Sequence, residues 1–157
     1  MKKYRPRRKN GKKTETVVLV TGGYDPLHIG HLLSFKAAKA LGDKLIVAID
    51  GNEYLRKKMG APFLPIEDRV AIIQELRCVD QVIVIGDGDM SDAILAIKPD
   101  ILANGGDRSS IKNLLKKEVG ACRKIGCRMI FNVGGGKIRS SSDLLRQWVH
   151  HQTHKKK

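Results

Sequence analysis

Two histidines three residues apart, His28 and His31, follow two glycines and an Asp-Pro pair in VVLVTGGYDPLHIGHLL, residues 17–33. The β-branched run ending near Val20 reads as a buried strand, and the spacing from Leu27 onward is helical. The histidines therefore belong to the first turn of a helix. Asp25 suits an N-cap and Pro26 the first helical position, where a missing N–H costs nothing. His28 and His31 then share one face of that turn, beside unpaired N–H groups and the positive end of the helix dipole. Such a turn is an anion site. Gly22 and Gly23 let the backbone bend sharply and approach a ligand, and Gly30 removes a side chain where a flat group could lie on the helix. A glycine inside a helix costs about 0.5–1 kcal/mol relative to alanine, so a packing reason is expected for Gly30. The bland alternative is a pair of capping or core histidines. G-x-G-x-x-G and P-loop patterns are absent, which counts against a dinucleotide site or a P-loop site.

These groups need a scaffold, and the rest of the chain describes one. TVVLV (16–20), KLIVAID (44–50), QVIVIG (81–86), DILANGG (100–106) and CRMIFNV (127–133) are short apolar runs of the buried-strand type. HIGHLLSFKAAKALG, ending on the C-cap candidate Gly42, IEDRVAIIQELRCV, SDAILAIK, SSIKNLLKKEVGACRKIG and SSSDLLRQWVHH lie between or after them with helical spacing. The pattern βαβαβαβαβα predicts an α/β fold: a Rossmann-like five-stranded parallel sheet with helices on both faces, in a single domain. Ligands in such sheets bind beyond the carboxyl ends of the strands.

The chain has 157 residues, 41% of them hydrophobic, and a formal net charge of +14. Eight basic residues and no acid fall in residues 1–13, and Lys155, Lys156 and Lys157 add three more, leaving +3 for residues 14–154. The organisation expected is a flexible basic arm (1–13), a folded domain (14–150) and a basic C-terminal tail (151–157). The tails suit non-specific contact with nucleic acid. No apolar run is long enough for a membrane span and no secretory signal opens the chain, so a cytoplasmic protein without membrane contact is expected. Cys78, Cys122 and Cys127 form no C-x-x-C pair and read as buried thiols. His150 and His154 have metal-like i,i+4 spacing but read as a polar helix end.

TGGYDPLHIGH resembles the H-x-G-H signature of the nucleotidyltransferase superfamily. The resemblance is to the cytidylyltransferase-like branch, which includes glycerol-3-phosphate cytidylyltransferase and the adenylyltransferase domain of ADP-heptose synthase. It extends over residues 16–146 through LGDKLIVAID, PIEDRVAIIQELRCVDQVI, KPDILANGGDR and IRSSSDLL. It implies transfer of a nucleotidyl group (CMP or AMP) from CTP or ATP to a phosphorylated small molecule, such as a polyol or sugar phosphate, with release of pyrophosphate. An acceptor phosphate is already an anionic nucleophile, so no general base is needed, and alignment with charge neutralisation carries the chemistry.

Residue by residue, the resemblance implies that His28, His31, Lys58 and Ser142 are catalytic. Gly22, Gly23, Tyr24 and Gly30 are implied as nucleotide-binding residues in the first turn. In the last helix, Ser140, Ser141 and Ser142 match the family's turn for the β and γ phosphates, which also suits a serine N-cap. Arg139 departs from the apolar or cysteine residue of relatives and either adds a phosphate contact or faces solvent. Lys57 and Lys58 are not separable, and Arg69 is expected on the acceptor phosphate. Asn104, Gly105, Gly106 and Asp107 are implied for base and ribose, while Arg108 departs from the aromatic residue of some relatives. Magnesium is expected with the triphosphate, without identified protein ligands, and the family suggests a homodimer. Two other classes stand beside the enzyme: a nucleic-acid-binding protein, against which the 4% aromatic content counts, and a catalytically silent nucleotide sensor.

Overall fold

The computed structural model describes residues 8–9, 12–13, 15–86, 89–106, 110–113 and 116–154. Five strands make one parallel sheet: β1 (Val17–Gly22), β2 (Lys44–Asp50), β3 (Gln81–Ile85), β4 (Ile101–Ala103) and β5 (Arg128–Ile130). Their spatial order is β3-β2-β1-β4-β5. The helices are α1 (Ile29–Lys39), α2 (Asn52–Met59), α3 (Ile66–Gln74), α4 (Met90–Ile97), α5 (Lys116–Ile125) and α6 (Ser141–His154). The expected α/β sheet is therefore present, and the order of its strands reverses between β1 and β4, where a crevice opens at the carboxyl edge.

The apolar strands are buried on both faces, so alternate residues enter two cores. Val18, Val20, Leu45, Val47, Ile49, Ile101 and Ala103 pack with Phe35 and Ala38 of α1 and Ile73 of α3. Leu19, Ile46, Ala48 and Leu102 face the other way, toward Ile94 of α4 and Ala121 and Cys122 of α5. Burial of continuous β-branched runs between two helical layers is the main stabilising term of such a sheet. All three cysteines are free thiols; Cys122 and Cys127 are buried and Cys78 half-buried.

The amino edge of the sheet is closed by aspartates. Asp43 accepts the Thr16 N–H at 2.8 Å, Asp80 the Leu45 N–H at 2.6 Å, and Asp100 the Val17 N–H at 2.9 Å. Each carboxylate satisfies a backbone donor at or just before a strand start, where the ladder has no partner for it.

The expected helical pattern is revised at one place. The chain forms a helix over Asn52–Met59 that the sequence pattern did not announce, because NEYLRKKM buries only Leu55. Helix α6 continues to His154, into the segment expected as a loose tail; the His150 and His154 rings stack at 4.0 Å and Thr153 Oγ1 donates to the His150 carbonyl. Of the arm expected to be flexible, the described backbone of Arg8–Lys9 and Lys12–Lys13 pairs antiparallel. The rest of that arm, and Lys155–Lys157, lie outside the described residues. Among the described residues no helix is long and apolar enough to cross a membrane.

Candidate active site

A cleft of about 250 Å³ opens at the carboxyl edge of β1, β2 and β4. Its walls hold Gly22, Gly23, Tyr24, His28, Gly30, His31, Lys58, Asn104, Gly105, Gly106, Arg139, Ser140, Ser141 and Ser142. The structure thus brings together residues that the sequence separates by up to 120 positions. Lys57 is not on the wall, so placement distinguishes it from Lys58. Asp107 and Arg108 lie outside the described residues.

The first turn of α1 starts later than Asp25 and Pro26 would have it. His28 is the N-cap, in extended conformation, and its Nδ1 accepts the Gly30 N–H at 3.1 Å. Asp25 is buried, and its carboxylate takes the Phe63 N–H at 2.6 Å and the Leu64 N–H at 2.8 Å. A buried carboxylate is drawn to backbone donors that have no other partner, which leaves the cap to the imidazole. An Nδ1 that accepts is unprotonated, so Nε2 carries the hydrogen and can donate to a ligand oxygen. Burial, with Arg139 and Lys137 nearby, holds the His28 pKa below its ordinary value and favours that neutral form.

His31 stacks on His28 with centroids 3.8 Å apart and meets the edge of Tyr24 at 5.0 Å. Tyr24 in turn packs edge-on against Phe35 at 5.0 Å. Tyr24 holds a left-handed φ of 51°, a strained conformation for a non-glycine residue that the surrounding packing must enforce. Its ring lies over Gly22, where a Cβ would come 3.1 Å from the ring. A Cβ on Gly30 would lie 3.0 Å from His28 Cε1, so the space expected to receive a flat ligand is taken by the His28 ring.

The second turn belongs to the β5–α6 connection. Asn132, Gly134 and Gly135 are left-handed, at φ 55°, 89° and 91°. Gly134 lies against the backbone of α1, where a Cβ would meet Ser34 Cα at 2.7 Å, and a Cβ on Gly106 would meet the Gly135 carbonyl at 2.4 Å. This close approach carries the chain across the cleft to α6, whose Ser141 Oγ donates to the Pro26 carbonyl at 2.9 Å. The Ser140 carbonyl accepts from Leu144 N–H at 3.0 Å, marking the start of the helix. Two helix N-termini, each with side-chain donors, therefore face one space, together with exposed Lys137 and Arg139.

Arg69 is a correction. It is 1% exposed and absent from the cleft wall. Its Nε donates to the Leu64 carbonyl at 3.2 Å, Nη1 to the Gly23 and Asp50 carbonyls at 2.8 Å each, and Nη2 to Asn52 Oδ1 at 2.8 Å. The guanidinium expected on an acceptor phosphate instead ties together the ends of β1 and β2, the start of α2 and the loop before α3. Asn104 also looks inward: its Nδ2 makes long bonds, 3.4 Å, to the Leu102 and Ile130 carbonyls, while its backbone joins Ile130 and Val133.

Sequence reasoning missed Ser34, Asp50, Tyr54, Met59 and Lys137 on the wall. Tyr54 had a local signal, since it stands four residues before Lys58 on one face of α2; Lys58 Nζ lies 5.8 Å from its ring centroid. For a metal, no group of three or more His, Cys, Asp or Glu side chains is poised to hold an ion among the described residues. Asp25 has both oxygens on backbone donors. Among the described residues, the side chains on the wall do not make a protein-held metal centre.

A family model described as Cytidylyltransferase-like matches residues 19–147. The chain is 38% identical over 114 residues to an FAD synthase of Pyrococcus abyssi, covering 71% of this chain and 75% of that protein. It is 38% identical over 99 residues to the bifunctional protein HldE of Methylococcus capsulatus, covering 62% of this chain but 21% of that one. Among solved structures, a lipopolysaccharide core biosynthesis protein from Thermoplasma volcanium superposes with a TM-score of 0.64 at 31% identity, over 75% of this chain and 94% of that one. With the paired helix N-termini and the parallel sheet already in place, these matches identify the chain as an enzyme of the nucleotidyltransferase type, belonging to the cytidylyltransferase-like family.

Proposed function

We propose that this enzyme moves AMP from ATP to the terminal phosphate of FMN, forming FAD and releasing pyrophosphate. The observation that carries nucleotidyl transfer is the convergence of the α1 and α6 N-termini, with His28, His31 and Ser140–Ser142, on one cleft. Similarity to FAD synthases over most of their length supports ATP over CTP, and FMN over the polyol or sugar phosphate expected from the sequence.

An oxygen of the FMN phosphate attacks the α-phosphorus of ATP. The new P–O bond forms as the bond from that phosphorus to the bridging oxygen of pyrophosphate breaks, and the electron pair leaves with pyrophosphate. No proton need be removed from the nucleophile. His28 Nε2 and His31 donate to the triphosphate where charge builds, and the Ser140 and Ser142 hydroxyls with the N–H groups at the start of α6 hold the departing β and γ phosphates, the Ser141 hydroxyl being taken by the Pro26 carbonyl. Lys58, Lys137 and Arg139 neutralise charge at the rim. Magnesium arrives as part of the ATP substrate, held by phosphate oxygens and water.

The test is to incubate the protein with ATP or CTP and each of FMN, a sugar 1-phosphate and glycerol 3-phosphate. Pyrophosphate is followed, and the nucleotide product is identified by chromatography. FAD from ATP and FMN is the expected outcome. Turnover only with the sugar phosphate would instead favour the activity suggested by the similarity to HldE, and turnover only with CTP and glycerol 3-phosphate would return the acceptor to a polyol phosphate.

A further inference from the structure

The ATP and FMN of the proposed reaction each carry a flat ring system, and the enclosed part of the cleft is small for both. At about 250 Å³ it lies below the roughly 300–1,000 Å³ of ordinary small-ligand pockets. One of the two ring systems must therefore rest on the rim. The walls differ sharply in what they offer such a ring. Around Gly105 and Gly106 the lining is largely backbone, and the α6 side is serine, arginine and lysine with the aliphatic Ile138 but no aromatic ring. The cleft is lined by three Tyr or Phe rings among the described residues; Tyr24 and Phe35 are 8% and 1% exposed and packed into the core, while Tyr54 is 46% exposed.

Tyr54 stands on α2 with Leu55, Lys58 and Met59 also on the wall. Here an exposed aromatic ring, a thioether and a cation occur side by side on the described wall. Helix α2 is tied to its neighbours: Arg69 Nη2 donates to Asn52 Oδ1 in its first turn, and Leu55 is buried.

Resting on the FMN reading above, we infer that Tyr54 is the platform on which the acceptor's isoalloxazine ring stacks, with Met59 beside it and Lys58 drawing in the acceptor phosphate. A phosphorylated flat aromatic acceptor matches this wall; a polyol phosphate would use the lysine and leave the ring idle. Tyr54 is then a specificity-determining residue, acting on which acceptor binds and leaving the chemistry at the α-phosphorus to other groups.

The test compares wild type with Tyr54→Phe, Tyr54→Leu and Tyr54→Ala, measuring KM for FMN and for ATP separately and the quenching of FMN fluorescence on binding. Loss of a base-stacking ring is typically worth a five- to hundredfold change in affinity. The KM for FMN is expected to rise about tenfold or more in Tyr54→Ala and Tyr54→Leu. The KM for ATP should stay within about twofold, and Tyr54→Phe should match wild type. Quenching should weaken in the two variants that lack the ring. Tyr54→Leu keeps the apolar bulk, so it distinguishes loss of stacking from loss of packing should the alanine variant fold poorly. FAD production by wild type with an unchanged FMN KM in Tyr54→Leu, or an equal rise for both substrates, would overturn this inference alone. Absence of FAD from wild type would overturn the functional reading and this inference with it.

Discussion

The two edges of the parallel sheet solve opposite problems. At the amino edge, Asp43, Asp80 and Asp100 each occupy a backbone N–H with a carboxylate. At the carboxyl edge Asp25 is buried with both oxygens on N–H groups of residues 63 and 64 and Asp50 stands on the cleft wall, while the helix N-termini of α1 and α6 stay open. Negative charge is used as structural cement at one edge, and a surplus of donors is left for an anion at the other. The comparison teaches that charge bookkeeping over the whole chain says little about a site; what matters is which backbone donors are already satisfied.

The comparison is broken most directly at His31. His31→Ala should lower kcat by about 100-fold or more, since one lost transition-state donor is worth about 2.7–4 kcal/mol, with the melting transition little changed. Near wild-type turnover in a folded variant would remove His31 from the chemistry.

Arg69 is the residue at the ligand edge whose role is structural. Arg69→Met should destabilise the fold by about 3 kcal/mol, because it strands the Gly23, Asp50 and Leu64 carbonyls. It should weaken both substrates alike. A selective rise in acceptor KM at unchanged stability would restore the phosphate-binding role expected from the sequence.

Gly134→Ala should cost about 2 kcal/mol, from a left-handed φ and a Cβ pressed on the α1 backbone. Because the same turn sets the start of α6, kcat/KM for the nucleotide should fall about tenfold, read from steady-state kinetics beside a denaturation curve.

At the opposite edge, Asp100→Ala should lower stability by about 1–2 kcal/mol, the cost of the unsatisfied Val17 N–H, with kcat/KM unchanged. A kinetic defect there would show that the edges are coupled.

The smallest effect concerns His28. Its pKa is lowered in the fold from 6.5, so the unfolded chain takes up the proton first as pH falls. The stability owed to the neutral ring is complete above 6.5 and is lost as pH drops through the lower folded value. His28→Asn keeps a cap acceptor and removes the titration, so the melting temperature should depend less on pH between about 7 and 5 than in wild type.

Legibility followed the physics of each signal. KLIVAID was read to the residue as β2, Lys44–Asp50, because a run buried on both faces needs no context. Two serine and histidine turns were found because their residue types are rare together, and the structure brings them to one cleft. Helix α2 was missed since its charged face outweighs a single buried leucine. Arg69 was misread because its partners are mostly carbonyls, which every residue possesses and no sequence advertises. Asp25 was misjudged for a related reason: an aspartate before proline has a local use as a cap, and only the fold reveals two better donors 38 and 39 positions away.

The hydrogen bond from Ser141 to the Pro26 carbonyl spans 115 positions, and Gly134 rests on Ser34 across 100 positions. On a ribosome, the H-x-G-H turn emerges long before its counterpart. A nascent chain can therefore assemble β1, α1 and β2 while the cleft is still half made. Docking of the segment from Asn132 to Ser142 completes the cleft, and closing a loop of 115 positions carries a large chain-entropy cost. Fragments ending before that segment would carry both histidines and lack the opposite wall of the cleft.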